Sequence, residues 1–390
     1  MFTKNIHFKN FIRKKNPKTS KILKNIVNDK TLIEKFPLLK SMNKDYQYSY
    51  QKKKIKLFKR FNKFNLVGMG GSTLGAETIY NFLKHKINKK FNFYNNIDFQ
   101  EVPKTQEKNI NIVISKSGNT IETIVNFNLL LQKQKKNKNI ILCENKKNFL
   151  RSLGKKLKAE IFEHKNYIGG RYSVLSETGM LPAELMGLNE KKFKRFNYLI
   201  KNKNFINSLI ENVSSIISYI QKGKTNLVIL NYDRKSDSLF KWYQQLLAES
   251  LGKNKKGVFP IFSSMPKDNH SLLQLYLDGP NNNFYTIFSS REKKSQKLNN
   301  AYLINDYLSL NNKDIYKILE SQKQATENIF KREKIPFRSF EIINRSEETL
   351  GELFCFFILE TILLGYLLKV NPFDQPKVEL IKNETKKILI

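Results

Sequence analysis

Cysteine is nearly absent from this sequence: Cys143 and Cys355 are the only two in 390 residues. Two thiols cannot build a disulfide framework or a four-thiolate zinc site, and such sparing use fits a reducing, cytoplasmic compartment. Long apolar runs are missing too. The N-terminal segment carries Lys4, Lys9, Arg13, Lys14 and Lys15, which leaves no uninterrupted stretch for a secretory signal. The most apolar run, residues 353–368, contains Glu360 and falls short of the ~18 residues that suggest a membrane span. Acidic residues are scarce as well, 34 against 70 Lys and Arg, so the formal charge is +36. What is present still supports a packed core. With 40% hydrophobic residues, wholesale disorder is excluded, and the length suffices for two ordinary domains or one large one. The expectation is a soluble cytoplasmic protein with no membrane partner.

The charge invites a nucleic-acid reading. Residues 1–60 hold 18 Lys and Arg against three acids, about two-fifths of the whole excess, as a basic arm would. The alternative is a general bias toward Lys, Asn, Ile and Phe, visible in Lys135-Lys136-Asn137-Lys138-Asn139, under which most lysines are a solvated surface. No zinc-finger, RRM or KH pattern accompanies the charge, so the sequence favours the second account and no specific nucleic-acid partner.

Residues 1–60 read as helices and turns, with breaks at Pro17 and Pro37. Phe64-Asn65-Leu66-Val67 is β-prone and stops at Gly68-Met69-Gly70-Gly71, after which an amphipathic segment spans about 76–83. Asn111-Ile112-Val113-Ile114 ends in a polar turn and a helical pattern over about 120–131; Ile140-Ile141-Leu142-Cys143 follows. Strand, turn and helix in repetition are the signature of a parallel sheet covered on both faces. A second set comprises Leu227-Val228-Ile229-Leu230, a helix over about 236–251, and Tyr285-Thr286-Ile287-Phe288. The Lys/Asn-rich helical stretch 190–224 connects the two sets. Residues 347–369 form a nearly all-round apolar helix, which predicts burial. The fold class is therefore α/β: a helical basic extension (1–60), a first domain (61–205), and a second domain with a helical tail (206–390).

Five turns carry candidate chemistry. Gly68-Met69-Gly70-Gly71-Ser72-Thr73-Leu74-Gly75 lies where a strand becomes a helix, a place to cradle a ligand or simply to turn tightly. The dinucleotide fingerprint fails because its third glycine would fall at Thr73, and no Gly-Lys-Ser/Thr follows to make a P-loop. Ser115-Lys116-Ser117-Gly118-Asn119-Thr120-Ile121-Glu122-Thr123 packs hydroxyls and a lysine at a helix start. One hydroxyl would serve as an N-cap; several with a cation suit a phosphate dianion. In Gly169-Gly170-Arg171-Tyr172-Ser173-Val174-Leu175-Ser176 the guanidinium could face a developing oxyanion or form an ordinary ion pair. Gln245 and Glu249 fall one helical turn apart before Ser250-Leu251-Gly252-Lys253, which makes Glu249 a candidate general base or a solvated surface acid. His270, in Lys267-Asp268-Asn269-His270-Ser271, is either a surface histidine or a proton carrier.

Taken in order, these segments resemble the signatures of the glucose-6-phosphate isomerase (phosphoglucose isomerase) family. Residues 68–72 resemble its first glycine loop, 115–123 its phosphate loop, 169–176 its arginine segment, and 249–253 and 269–271 its base and histidine segments. Asn371-Pro372-Phe373-Asp374-Gln375-Pro376-Lys377-Val378-Glu379-Leu380-Ile381-Lys382 is similar to its closing signature. The matches span about four-fifths of the chain. Lys377 and Ile381 stand where that signature usually has glycines, Asn119 where the phosphate loop usually has threonine, and Asn269 where glutamine is usual.

The resemblance implies two sugar-isomerase (SIS) domains and reversible conversion of glucose 6-phosphate to fructose 6-phosphate, with neither metal nor other cofactor. Gly71, Ser72, Ser115, Lys116, Ser117, Thr120 and Gln245 would bind substrate. His270 and Lys382 would open the sugar ring, with Glu122 orienting the histidine. Glu249 would carry a proton between C2 and C1 through a cis-enediol, and Arg171 would stabilise the enediolate. A homodimer would share His270 across its interface. Three alternatives remain at this point: a related aldose–ketose isomerase of the same fold, a non-catalytic sugar-phosphate sensor, which would not need Arg171, Glu249 and His270, and a nucleic-acid binder using the basic segment.

Overall fold

The computed structural model describes residues 2–12, 17–27, 29, 31–98, 108–134, 136–291 and 295–389. Along the chain the elements are β1 (Ile6–Lys9), α1 (Pro17–Val27), α2 (Leu32–Lys35), α3 (Lys52–Lys56), β2 (Lys63–Val67), α4 (Leu74–Phe82), β3 (Lys90–Tyr94), β4 (Ile110–Ile114), α5 (Ile121–Lys133), β5 (Lys138–Cys143), α6 (Phe149–Lys156) and β6 (Glu160–Glu163). There follow α7 (Glu177–Leu185), α8 (Phe196–Leu199), α9 (Lys203–Gln221), β7 (Asn226–Asn231), α10 (Asp237–Leu251), β8 (Phe259–Ser264), α11 (Leu273–Asp278), β9 (Asn283–Ser290), α12 (Ile315–Arg332), β10 (Phe337–Ile342), α13 (Glu347–Leu368) and α14 (Val378–Leu389).

Two five-stranded sheets result. The first has order β3-β2-β4-β5-β6 and is parallel throughout; the second has order β1-β10-β9-β7-β8 and is parallel except for β1. Both faces of each are buried, which is why the central strands read as unbroken apolar runs. Alternate residues of the first sheet, Phe64, Leu66, Ile112 and Leu142, enter a large cluster between the sheets, while Val67, Val113 and Ile141 pack under α5 and α6. The second sheet divides likewise: Leu227, Ile229 and Phe340 face the shared cluster, and Val228, Ile287 and Phe337 face α11 and α12. Helices α4, α7, α9, α10 and α13 fill the space between. This is the predicted α/β architecture with two mostly parallel sheets. We propose the two sheets as the cores of domains 61–205 and 206–390.

The N-terminal segment departs from expectation. It was predicted to be helices and turns, but β1 pairs antiparallel with β10 in register Ile6↔Ile342 and joins the second sheet. Phe8 packs 4.5 Å from the Phe340 ring, centroid to centroid. Nor are residues 41–60 a free basic arm. Tyr46 and Tyr50 donate to the buried carboxylates of Glu177 (2.9 Å) and Glu184 (2.9 Å), and Lys52 pairs with Glu190 at 2.5 Å. Arg13, Lys14 and Lys15 lie outside the described residues, as does Lys135.

Helix α13 is 22 residues long, in agreement with the helix predicted over 347–369, and is the one described helix long and apolar enough to cross a membrane. It is instead enclosed by protein. Its Glu360 is fully buried because Arg338 of β10, also fully buried, pairs with it, and Asn212 and Tyr243 donate to the same carboxylate. Arg338 donates in addition to Thr286 at 2.8 Å.

One polar feature crosses the first sheet. Asn92, Asn65, Asn111 and Asn139 stand in register on β3, β2, β4 and β5. Each donates its side-chain amide to the next: Asn92 to Asn65 at 3.0 Å, Asn65 to Asn111 at 2.9 Å, and Asn111 to Asn139 at 2.9 Å. Asn111 is fully buried, so Asn111→Ala should leave partners unpaired at a cost of about 1–3 kcal/mol, measurable as a lowered denaturant midpoint with an unchanged slope.

Candidate active site

The parallel pair β2–β4 ends at two loops that enter helices. Gly68–Gly71 leads into α4, and Ser115–Thr120 leads into α5. The glycine loop serves close packing. A Cβ on Gly71 would lie 2.3 Å from the carbonyl of Gly170, and one on Gly70, whose φ is +51°, would lie 2.6 Å from the side-chain amide nitrogen of Gln245. The loop is thus pressed against the arginine segment and against α10. Ser72 is half-buried at its end.

Arg171 lies in a 3-10 turn and is 2% exposed. Its Nε donates to Ser250 Oγ (2.8 Å), Nη1 to Glu249 Oε2 (3.1 Å) and Gln375 Oε1 (2.6 Å), and Nη2 to the carbonyls of Pro372 (2.7 Å) and Asp374 (3.0 Å). All five N–H donors of the guanidinium are taken. Tyr172 seals the site from below, its hydroxyl against Ser250 at 2.8 Å; burial pushes its pKa up to about 12, so it stays protonated. Glu249 extends from the last turn of α10. Its other oxygen, Oε1, accepts from Gln245 Nε2 at 2.8 Å, one helical turn back, while Gln245 Oε1 is buried without a partner. The carboxylate side chain is 31% exposed, half held and half open. It borders an open cleft of about 720 Å3 lined also by Gly252, Lys253, Gln375, Pro376 and Val378. None of the phosphate-loop hydroxyls lines that cleft.

In the 115–120 loop, Ser115 Oγ and Thr120 Oγ1 are hydrogen-bonded at 2.9 Å, and Ser117 Oγ accepts from Asn119 N at 3.3 Å. Thr120 is the N-cap residue of α5 yet makes no side-chain capping bond, so its hydroxyl is not spent on the cap. Lys116 donates to the Asn166 carbonyl (2.7 Å) and lies 3.8 Å from Glu144; burial moves its pKa down.

Two expected site residues make no hydrogen bond to Arg171, Gln245 or Glu249 among the described residues. His270 closes a 3-10 turn after edge strand β8 and is exposed, in a turn braced by Asp268, which accepts from Ser264 N at 2.8 Å. No hydrogen bond joins it to half-buried Glu122 among the described residues, so the expected orienting pair is not made within one chain. Lys382 sits on α14, which has no buried residue, and pairs with Glu379 at 2.6 Å. Lys377 has an ordinary negative φ, so the missing glycine brings no backbone strain there. Conversely, Ser250 and Gln375 were not singled out, although both were inside quoted motifs. Each holds Arg171 rather than standing out by residue type. Among the described residues no group of three or more His, Cys, Asp or Glu side chains could hold a metal ion.

Known proteins are similar to this chain along most of its length. The phosphoglucose isomerase family model matches residues 38–266. A probable glucose-6-phosphate isomerase of Methanococcus maripaludis is 32% identical, over 93% of this chain and 86% of that protein. A glucose-6-phosphate isomerase of Mycoplasmopsis pulmonis is 33% identical, over 83% of this chain and 82% of its own length. The crystal structure of a glucose-6-phosphate isomerase from Chlamydia trachomatis shares the fold at TM-score 0.74 and 16% identity, covering 99% of this chain and 89% of that one. With the arginine, glutamate and glutamine of the matched motifs drawn together in space, and relatives above 30% identity over most of the sequence, the chain belongs to the phosphoglucose isomerase family.

Proposed function

We propose that this chain interconverts glucose 6-phosphate and fructose 6-phosphate as a cytoplasmic enzyme of sugar-phosphate metabolism. The observation that carries the reading is Glu249, a carboxylate fixed by Arg171 on one oxygen and Gln245 on the other at the edge of an open cleft. A base so held can take a proton from C2 and return it to C1 on the same face of a cis-enediol. Arg171 has no N–H left to give the substrate, so its part is a fixed positive charge near the developing enediolate and the alignment of Glu249. Ser115, Lys116, Ser117 and Thr120, with the free end of α5, hold the phosphate; Gly71 and Ser72 shape the wall opposite.

Ring opening falls to His270 and Lys382. His270 is exposed on its own chain, which supports a homodimer in which it completes the neighbour's site. Lys382 would act from α14, whose first residue, Val378, borders the cleft beside Glu249. The test of the activity is a coupled assay supplied with fructose 6-phosphate that reads glucose 6-phosphate; no product would refute the reading and leave a sugar-phosphate sensor as the better account.

Within this reading, Ser117→Ala is expected to raise KM by roughly 10- to 100-fold, since a hydrogen bond to a charged acceptor is worth ~1.5–3 kcal/mol. Thr120→Ala should cost less, because Ser115 loses its present partner and can turn its hydroxyl to the ligand. Steady-state kinetics with fructose 6-phosphate decide it; an unchanged KM in both variants removes this loop from phosphate binding.

A further inference from the structure

Resting on the proposed phosphate role of the 115–120 loop, we infer that Asn119 is a positioning residue: its side chain latches that loop to the neighbouring helix α6. The first backbone donors of α6 go to specific acceptors. Phe149 N donates to Asn119 Oδ1 at 2.9 Å, Leu150 N to the Gly118 carbonyl at 3.0 Å, and Arg151 N to Asn148 Oδ1, the helix's own cap, at 2.9 Å. Two of the three unpaired N–H groups that open this helix are therefore taken by the loop. Gly118, at φ +68°, lets the loop lie against the cap: a Cβ there would fall 2.1 Å from Asn148 Oδ1. A further tie, Glu144 N to the Lys116 carbonyl at 3.0 Å, fastens the start of the loop to the segment after β5.

The consequence is an asymmetry between two helix starts that flank one loop. At α6 the donors are consumed by the latch. At α5 the Thr120 hydroxyl makes no capping bond, and among the described residues no hydrogen bond from the first three backbone N–H groups is present. The loop can thus meet an anion from the α5 side only. Ser117 and Asn119 are themselves exposed; bonds within the loop, such as Gly118 N to the Ser115 carbonyl at 3.1 Å and Ser115 Oγ to Thr120 Oγ1 at 2.9 Å, set its turn, and the ties to α6 and to the segment after β5 fasten that turn in place. Without Asn119's acceptor, binding has to order the loop as well, and affinity for the phosphate group falls while the proton-transfer residues are untouched.

The latch can be cut from either end. Asn119→Ala removes the acceptor. Phe149→Pro removes the donor, at the first helical position where proline is tolerated, and the preceding Asn148 already has the extended backbone (φ −155°, ψ 167°) that proline requires. Inorganic phosphate binding by calorimetry and KM for fructose 6-phosphate are measured for wild type, both single variants and the double. Each single variant should weaken phosphate binding and raise KM by the same factor, about 3- to 10-fold for one partly exposed hydrogen bond, with kcat unchanged. The double variant should be no worse than either single one, because both cut the same bond. Multiplying effects, or unaltered phosphate binding in Asn119→Ala, overturn the inference. Should Phe149→Pro fail to fold, hydrogen exchange of the 115–120 amides in Asn119→Ala decides: faster exchange supports the latch and equal exchange overturns it. A wild type that binds phosphate but does not isomerise refutes the proposed function while leaving the latch to these criteria; one that binds no phosphate refutes the latch's purpose.

Discussion

Glu249→Gln is expected to lower kcat by about 10²–10⁴ while KM changes little, the signature of a lost general base. The fold should accept the change because of how the site is wired. Glu249 Oε2 only needs to remain an acceptor for Arg171, and an amide oxygen can do that. On the other side the new amide nitrogen would face Gln245 Nε2, donor against donor. Gln245 can answer by turning its own amide, and this gives its buried, unpartnered Oε1 a hydrogen to accept. The loss of charge beside Arg171 is cushioned by its other acceptors: Ser250, Gln375 and the carbonyls of Pro372 and Asp374. Pre-steady-state and steady-state rates with fructose 6-phosphate check the result, with circular dichroism to confirm folding. A variant with wild-type kcat would remove Glu249 from the chemistry.

The second large effect is recovery of activity from two dead proteins. His270→Ala and Glu249→Gln homodimers should each be inactive. If His270 serves the neighbour's site, a mixed dimer contains one site with both lesions and one with neither, so up to half of its sites regain full function. If each chain used its own His270 and Glu249, every site would keep a lesion and the mixture would stay inactive. Subunit exchange is shown separately by a mass tag. Exchange without recovered activity refutes the shared site and leaves the isomerase reading standing. The exposed position of His270, in a turn fixed by Asp268, is what makes this arrangement physically reasonable: an exposed imidazole on a braced turn can be presented to a second chain.

Legibility in the sequence followed the range of the interactions involved. β2, β4, β5 and β7 were readable because both faces of a central parallel strand are apolar, and β2 and β4 also end in a glycine or hydroxyl turn. β10 was not: Arg338 and Glu341 interrupt it, and Arg338 is tolerated only because Glu360 arrives from α13. β1 spans four residues among lysines, too short for its Ile6/Phe8 alternation to stand out. In the site, Arg171, Gln245 and Glu249 were found by residue type and spacing, and the fold brought them together. Gln375 and Ser250 were passed over because their work, holding a guanidinium, exists only in three dimensions. Lys382 and the Glu122–His270 pair were expected from resemblance alone, and among the described residues no hydrogen bond joins Glu122 to His270.

The asparagine ladder of the first sheet bears on how this chain avoids open-ended strand-to-strand growth with copies of itself. Identical amide side chains stacked in register across parallel strands are the chemistry of fibril spines, where each layer templates the next. Here the stack runs through four strands of one molecule and points one way: Asn92 on β3, an edge strand, gives its amide nitrogen inward to Asn65, so the outer end of the stack is an accepting amide oxygen. That edge could receive a fifth rung from another molecule. Lys89 and Lys90 stand at the start of the strand and Lys90 is exposed, and charge at an edge is a standard deterrent to strand addition. Neutralising those lysines by acetylation, or masking them with high salt, would therefore expose the protein to self-templated growth from β3, seen as salt-dependent aggregation with thioflavin binding while the protein left in solution keeps its specific activity.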